Sequence, residues 1–269
     1  MASGFMLGWI NLADASVVSA SSSVANLGPE QLQDPVLTNR WRSGPGSSAH
    51  ITVDLGAALP VSYVGVLGHN LGSSGGTPSW TILGSTVAIG GSDVLNLTAS
   101  ATGLYADTTP AAKRFGQPSG RAHRFFNSVS PRYLDILLSD SSLSYIQAGR
   151  LVVMLPTEMG HAMAWGHAHS RADGRLAGQS RGGQVYARRG PRQRRWRFSA
   201  GWASEAEGWA VLDAMDAANG QTDDVLVCLN KASTYLDQVT LWGLVESRSE
   251  LTVANLPTRR QDFVVAERL

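Results

Sequence analysis

Two short segments of the first half carry side chains suited to holding a polar ligand. Arg40-Trp41-Arg42 sets an indole between two guanidinium groups. An aromatic face can stack on a sugar ring while neighbouring Arg and Asn groups hydrogen-bond its hydroxyls. His69-Asn70 closes a strand-like run, where ligand-carrying loops leave a sheet, and both side chains donate and accept. Arg40, Trp41, Arg42, His69 and Asn70 are therefore the candidate carbohydrate-binding residues. Each also has a structural reading: Trp41 as a core side chain beneath a sheet, and Asn70 as a turn former ahead of Gly72-Ser73-Ser74-Gly75-Gly76.

Other chemistry finds less to stand on. His161, His167 and His169 invite a metal, but no carboxylate or cysteine completes the set at a recognisable spacing. Nucleophilic catalysis lacks a Gly-x-Ser-x-Gly elbow. A paired-carboxylate mechanism must draw on only eight acids in the first 149 residues, one of which, Asp54, is accounted for by a strand end. The expectation is a protein with no catalytic residues, no metal and no cofactor, which is not an enzyme.

Charge is balanced overall and uneven locally. The net charge of +1 argues against bulk attraction to nucleic acid or anionic membrane. Between Arg171 and Arg197, however, nine arginines face one acid, Asp173. Arg188, Arg189, Arg194, Arg195 and Arg197 form the candidate oligomer interface, where basic strand faces would meet a neighbour's Asp213, Asp216, Asp223 or Asp224 and fix its register. A channel lining that touches DNA in passing is the second reading, since dense positive charge would retard passage. The single cysteine, Cys228, sits in an apolar strand-like run and can form no intrachain disulfide. No run approaches the ~20 apolar residues of a membrane span, and Met1–Ile10 has no basic leader, so a cytoplasmically made protein without membrane insertion is expected.

The elements that must position these groups read mainly as strands. Ile51, Val53 and Leu55 alternate with Thr52 and Asp54, the period of a strand with one buried face. Val64–His69, Trp80–Ile82, Tyr133–Leu138 and Ile146–Val153 continue the series, and Pro156 opens a linker. Residues 84–132 form a long Gly/Ser/Ala/Thr-rich stretch with the basic-aromatic runs Lys113-Arg114-Phe115 and Arg121–Phe126, read as an exposed loop or an extra hairpin. In the second half, Gln184–Arg189 and Arg194–Ser199 flank Gly190-Pro191 as two strands around a turn. Ser204 and Glu207 make a capping box and Asn219-Gly220 a stop, which predicts one helix over about 204–219. Strands are expected over Val225–Leu229, Val239–Val245, Leu251–Ala254 and Phe263–Ala266.

The order Arg40-Trp41-Arg42-Ser43, Ile51–Gly56 ending in Asp-Leu-Gly, Val64–Asn70 and Trp80-Thr81-Ile82 resembles the entry half of galactose-binding-like (discoidin, F5/8 type C) modules. That resemblance implies a β-sandwich of jelly-roll type over 1–155. The second half, with its basic strand, capped helix, Val225–Leu229 and Leu241-Trp242-Gly243-Leu244-Val245, is similar to the tail-tube-like domain of distal tail proteins of long-tailed bacteriophages and gene transfer agents. This implies a mainly β chain: a galactose-binding-like sandwich, then a tail-tube-like β-sandwich over 156–269 with one flanking α-helix. In the family the sandwich more often follows or is inserted, whereas here it comes first.

The function these likenesses imply is structural. The chain would form a ring at the virion tail tip, a hexamer or else a trimer, joining the tail tube to the hub or baseplate, with the sandwich peripheral and able to hold a host surface glycan. The alternative is a carbohydrate-binding adhesin or accessory module acting at a bacterial surface without a ring.

Overall fold

A computed structural model describes residues 4–105, 120–161, 163, 167–173, 176–188, 192–220, 222–255 and 258–268. The chain is mainly β and divides into two compact units: one of Ile10–Thr157 with Lys231–Thr240, the other of Met1–Trp9, Glu158–Asn230 and Leu241–Leu269. One boundary falls after Thr157, where 155 was expected, and the N-terminal strand belongs to the second of these units rather than to the sandwich. Strand β1 (Met6–Gly8) pairs antiparallel with a strand more than two hundred residues away, Met6 facing Cys228. The sandwich is thus an insertion within the chain of the other unit.

The sandwich is built from β2 (Val17–Ala20), β3 (Trp41–Arg42), β4 (Ser48–Asp54), β5 (Val61–His69), β6 (Pro78–Ser85), β7 (Leu95–Ser100), β8 (Leu104–Tyr105), β9 (Gly120–Val129), β10 (Tyr133–Asp140), β11 (Gln147–Ala148) and β12 (Arg150–Met154). One sheet has the order β2-β4-β10-β6-β7, the other β12-β5-β9-β8, and β11-β3 is a separate short pair. The alternation in β4 buries Ala49, Ile51 and Val53, which join Leu134, Ile136, Leu138, Trp80 and Ile82 in one core. Burying such aliphatic faces contributes about 1.5–3 kcal/mol per side chain. Within the stretch read as an exposed loop or an extra hairpin, β7 extends one sheet and β9 sits in the middle of the other. Lys113-Arg114-Phe115 lies outside the described residues.

The other unit continues with β13 (Thr157–Glu158), β14 (Ala168–Asp173), β15 (Leu176–Gln179), β16 (Val185–Arg188), β17 (Arg192–Ser204), β18 (Asp224–Cys228), β19 (Thr240–Arg248), β20 (Thr252–Asn255) and β21 (Thr258–Glu267). Among the described residues these form an antiparallel sheet of order β13-β1-β18-β19-β21-β17-β14, with β20 also on β21, plus the pair β15-β16. Helix α1 runs through Glu205–Glu207, a π-helical turn Gly208–Asp213 and Ala214–Asn219. Its start is the expected capping box, with both reciprocal bonds between Ser204 and Glu207 present. Val211, Leu212 and Met215 seal one face of the sheet together with Trp196, Phe198, Val225, Val227 and Phe263.

Candidate functional site

One end of the sandwich gathers its polar and aromatic groups. Strand registers bring together the end of β5 at His69, the starts of β4, β6 and β9, the end of β10, and the β3/β11 pair. Gly120 opens β9 opposite His69, and a Cβ there would lie 2.4 Å from His69 Nδ1, so only glycine fits. Two side chains then lock the loops. Asn70 Nδ2 donates to the Tyr145 carbonyl at 2.9 Å, and the Gln147 N–H donates to Asn70 Oδ1 at 2.9 Å. Buried Asp140 accepts from the Gly72 N–H at 2.6 Å, the Ser142 N–H at 2.9 Å and the Ser142 hydroxyl at 2.7 Å. Burial pushes the Asp140 carboxyl up, but these donors outweigh it and hold it below the usual carboxylate range.

On this frame stand two arginine–tyrosine pairs, all four side chains half-buried. The Arg42 guanidinium lies 3.5 Å from the centroid of the Tyr145 ring, and that of Arg121 lies 4.6 Å from the Tyr105 ring. Arg40 is also half-buried, and burial pulls its guanidinium below its ordinary value, Tyr145 opposing the shift. Rigid loops, aromatic rings and forked donors together suit a hydroxylated ligand.

Of the residues expected to bind, the structure brings Arg40, Arg42, His69 and Asn70 to this end but withdraws three of the five from contact. Trp41 is 0% exposed, packed in the core, and its Nε1–H donates to the Ser22 carbonyl at 3.1 Å. It offers no face for stacking. His69 is buried, its Nδ1 accepting from the Leu71 N–H; burial chiefly, with the Arg121 charge beside it, pulls its imidazole down to about 4. Asn70, also buried, spends its amide on the Tyr145–Gln147 backbone. Tyr145, Tyr105 and Arg121 were not among the expected residues. Arg121 stood in a noted basic-aromatic run, whereas Tyr145 reaches Arg42 only through the β3/β11 pairing, which no local pattern marks.

The expected arginine interface also changes. Arg194 is buried against Glu267 at 2.7 Å, and Arg195 pairs with Glu246 at 2.7 Å, so both are engaged within the chain. Two of the acids assigned to a neighbour are likewise taken: Asp216 by Arg248 at 2.9 Å and Asp224 by Arg268 at 2.7 Å. Asp213, Asp223 and Arg197 are exposed. Arg188 contributes its backbone to β16 opposite Leu176, and Arg189 lies outside the described residues. His167 and His169 rings stand 5.4 Å apart, with His169 4.8 Å from Trp196. Among the described residues no three His, Cys, Asp or Glu side chains group as metal ligands, and no helix is long and apolar enough to cross a membrane.

No protein-family model and no curated protein matches the chain. Among solved structures it is similar to chitosan-binding module 1 of a chitosanase/glucanase from Paenibacillus sp. IK-5, at 20% identity and a TM-score of 0.41 over 54% of this chain and 99% of that one. It is similar, too, to a Clostridium perfringens module, CpGH89CBM32-5, in complex with GalNAc-beta-1,3-galactose, at 13% identity and a TM-score of 0.40 over 54% and 100%. A third is CBM32 of AlyQ in complex with 4,5-unsaturated mannuronic acid, at 23% identity and a TM-score of 0.37 over 55% and 97%. These neighbours are carbohydrate-binding modules, and each alignment takes in about half of this chain.

Proposed function

We propose that this chain is a structural protein of a virion tail tip that carries a carbohydrate-binding sandwich, acting by binding and assembly rather than by turnover. The observation that carries the binding half is the Arg42–Tyr145 pair, held 3.5 Å apart on loops fixed by Asn70 and Asp140. The platform is preorganised, so a ligand need not order it on binding.

The assembly half draws on the β14–β17 region. Ala168–Asp173 pairs antiparallel with Arg192–Arg197, and Leu176–Gln179 pairs antiparallel with Val185–Arg188 in a register one residue removed from it. Among the described strands β15 and β16 pair only with each other, as a two-stranded arm separate from the main sheet. Val185 and Tyr186 on the arm are exposed. Such an arm can add its strand edge to a neighbouring subunit, and a head-to-tail contact of this kind closes into a ring. Insertion of the sandwich after β1 also matches the arrangement more familiar among the tail-tip proteins that the second half resembles. The ring, a hexamer or else a trimer, would join tail tube and hub.

Light scattering of the full chain, alone and co-expressed with tail-tube and hub proteins, tests assembly. Rings are expected, and a strict monomer in both settings overturns this half. The second reading, an adhesin or accessory module without a ring, is favoured by the site's being complete within one sandwich. Glycan-array binding by a chain that stays monomeric would select it.

A further inference from the structure

We infer that the sandwich site takes an acidic glycan, one whose sugar bears a carboxylate or a phosphate. The inference rests on the carbohydrate-binding reading above and adds the charge of the ligand.

The site end carries Arg40, Arg42 and Arg121. Two acids of this end, Asp140 and Asp34, are occupied within the chain. Asp140 is 0% exposed, with both carboxylate oxygens turned to Gly72 and Ser142. Asp34 accepts from the Val36 N–H at 2.8 Å and from Asn39 at 2.7 Å, bonds that hold its carboxyl below the ordinary range. Away from this end, Asp54 pairs with Arg132 at 3.0 Å, Asp14 with Arg150 at 2.7 Å and Asp135 with His50 at 2.9 Å. Neither Asp140 nor Asp34 is thus turned to Arg42, which stands over the half-buried Tyr145 ring.

Arg42 supplies the geometry. No described carboxylate pairs with it, and its Nε is buried without a hydrogen-bond partner while the guanidinium stacks on Tyr145. A guanidinium stacked on a ring is held flat and still presents its donor edge, the fork that matches a carboxylate or phosphate with two parallel bonds. Lysine could supply the charge but neither the stack nor the fork. A neutral sugar would leave this positive charge, partly withdrawn from water, without a counterion.

The test is calorimetric titration of the full chain with matched pairs: an oligogalacturonate and its methyl ester, and a mannose-6-phosphate oligosaccharide and its unphosphorylated form. At least tenfold tighter binding of an acidic member, falling at least tenfold in Arg42→Gln and weakening with added salt, supports the proposal. The pair that discriminates names carboxylate or phosphate. Arg42→Lys, checked for an unchanged unfolding temperature, should recover only part of the loss. Equal binding of both members, or preference for the neutral one, overturns the acidic ligand and leaves the carbohydrate reading intact. Binding of none of the four, together with a blank array of neutral and acidic glycans, overturns both.

Discussion

Replacing Trp41 with alanine removes the largest fully buried side chain among the described residues, at 0% exposure in the sandwich core. Truncating a buried Trp costs about 3–5 kcal/mol, the lost transfer energy plus the cavity left behind. The Nε1–H bond to the Ser22 carbonyl adds little, because Ser22 is exposed and water replaces the donor. Against a typical stability of about 5–15 kcal/mol, the loss is large without being certain to unfold the domain. At about 1.4 kcal/mol per tenfold, it raises the open population of the sandwich by roughly two to four orders of magnitude. Hydrogen exchange of the full chain reads this directly. Amides of Ser48–Asp54 and Tyr133–Asp140 should lose protection, while those of Asp224–Cys228, in the other unit, serve as control. Arg42→Ala, which removes only the stack on Tyr145, should cost about 0.5–1 kcal/mol and change exchange less than tenfold. Native protection in Trp41→Ala combined with lost glycan binding would refute the burial argument and make the indole the platform.

Other perturbations separate the remaining contacts. Gly243→Ala places a Cβ 1.9 Å from the Ala266 carbonyl oxygen on the paired strand, so it should cost more than about 3 kcal/mol and unfold the sheet unit alone, as read by limited proteolysis. Ser204→Ala removes half of the capping box and should cost about 1 kcal/mol, visible as faster exchange in the first turn of α1, with Ser204→Asp restoring it. His69 is neutral in the folded state with its imidazole lowered to about 4, against 6.5 when unfolded, so the unfolded chain binds the extra proton between these values. Stability should fall as pH drops from 6.5 toward 4, by up to about 3 kcal/mol, and denaturant titrations of His69→Gln should lose that slope.

What was legible in the sequence is what local spacing determines. The alternation Ile51, Val53, Leu55 set the face of β4, and Ser204 with Glu207 set the start of α1, because both signals act within four residues. What escaped depends on pairing across the chain. β1 looks like a fragment of apolar sequence until Met6 meets Cys228, and this one pairing turns a leading sandwich into an inserted one. Arg194 stands on the same side of β17 as Trp196, the buried side, yet a basic run reads as solvated until Glu267, 73 residues on, neutralises it. Tyr145 entered the site for the same reason, through the register of β3 with β11.

Trp41 is the more instructive case, because its position was available locally. Side chains of successive strand residues point to opposite faces. In Arg40-Trp41-Arg42 the aromatic and the two cations must therefore part, and a wet face for the arginines requires a dry one for the indole. Trp41 fills the core while Arg42 stacks on Tyr145 at the surface. The burial that removes Trp41 as a platform is also what anchors β3, so that Arg42 is held in place over its ring. In the proposed site the contact thus passes from the aromatic residue to its flanks, and the ligand it would favour shifts from one that stacks on an indole to one that carries charge to a guanidinium.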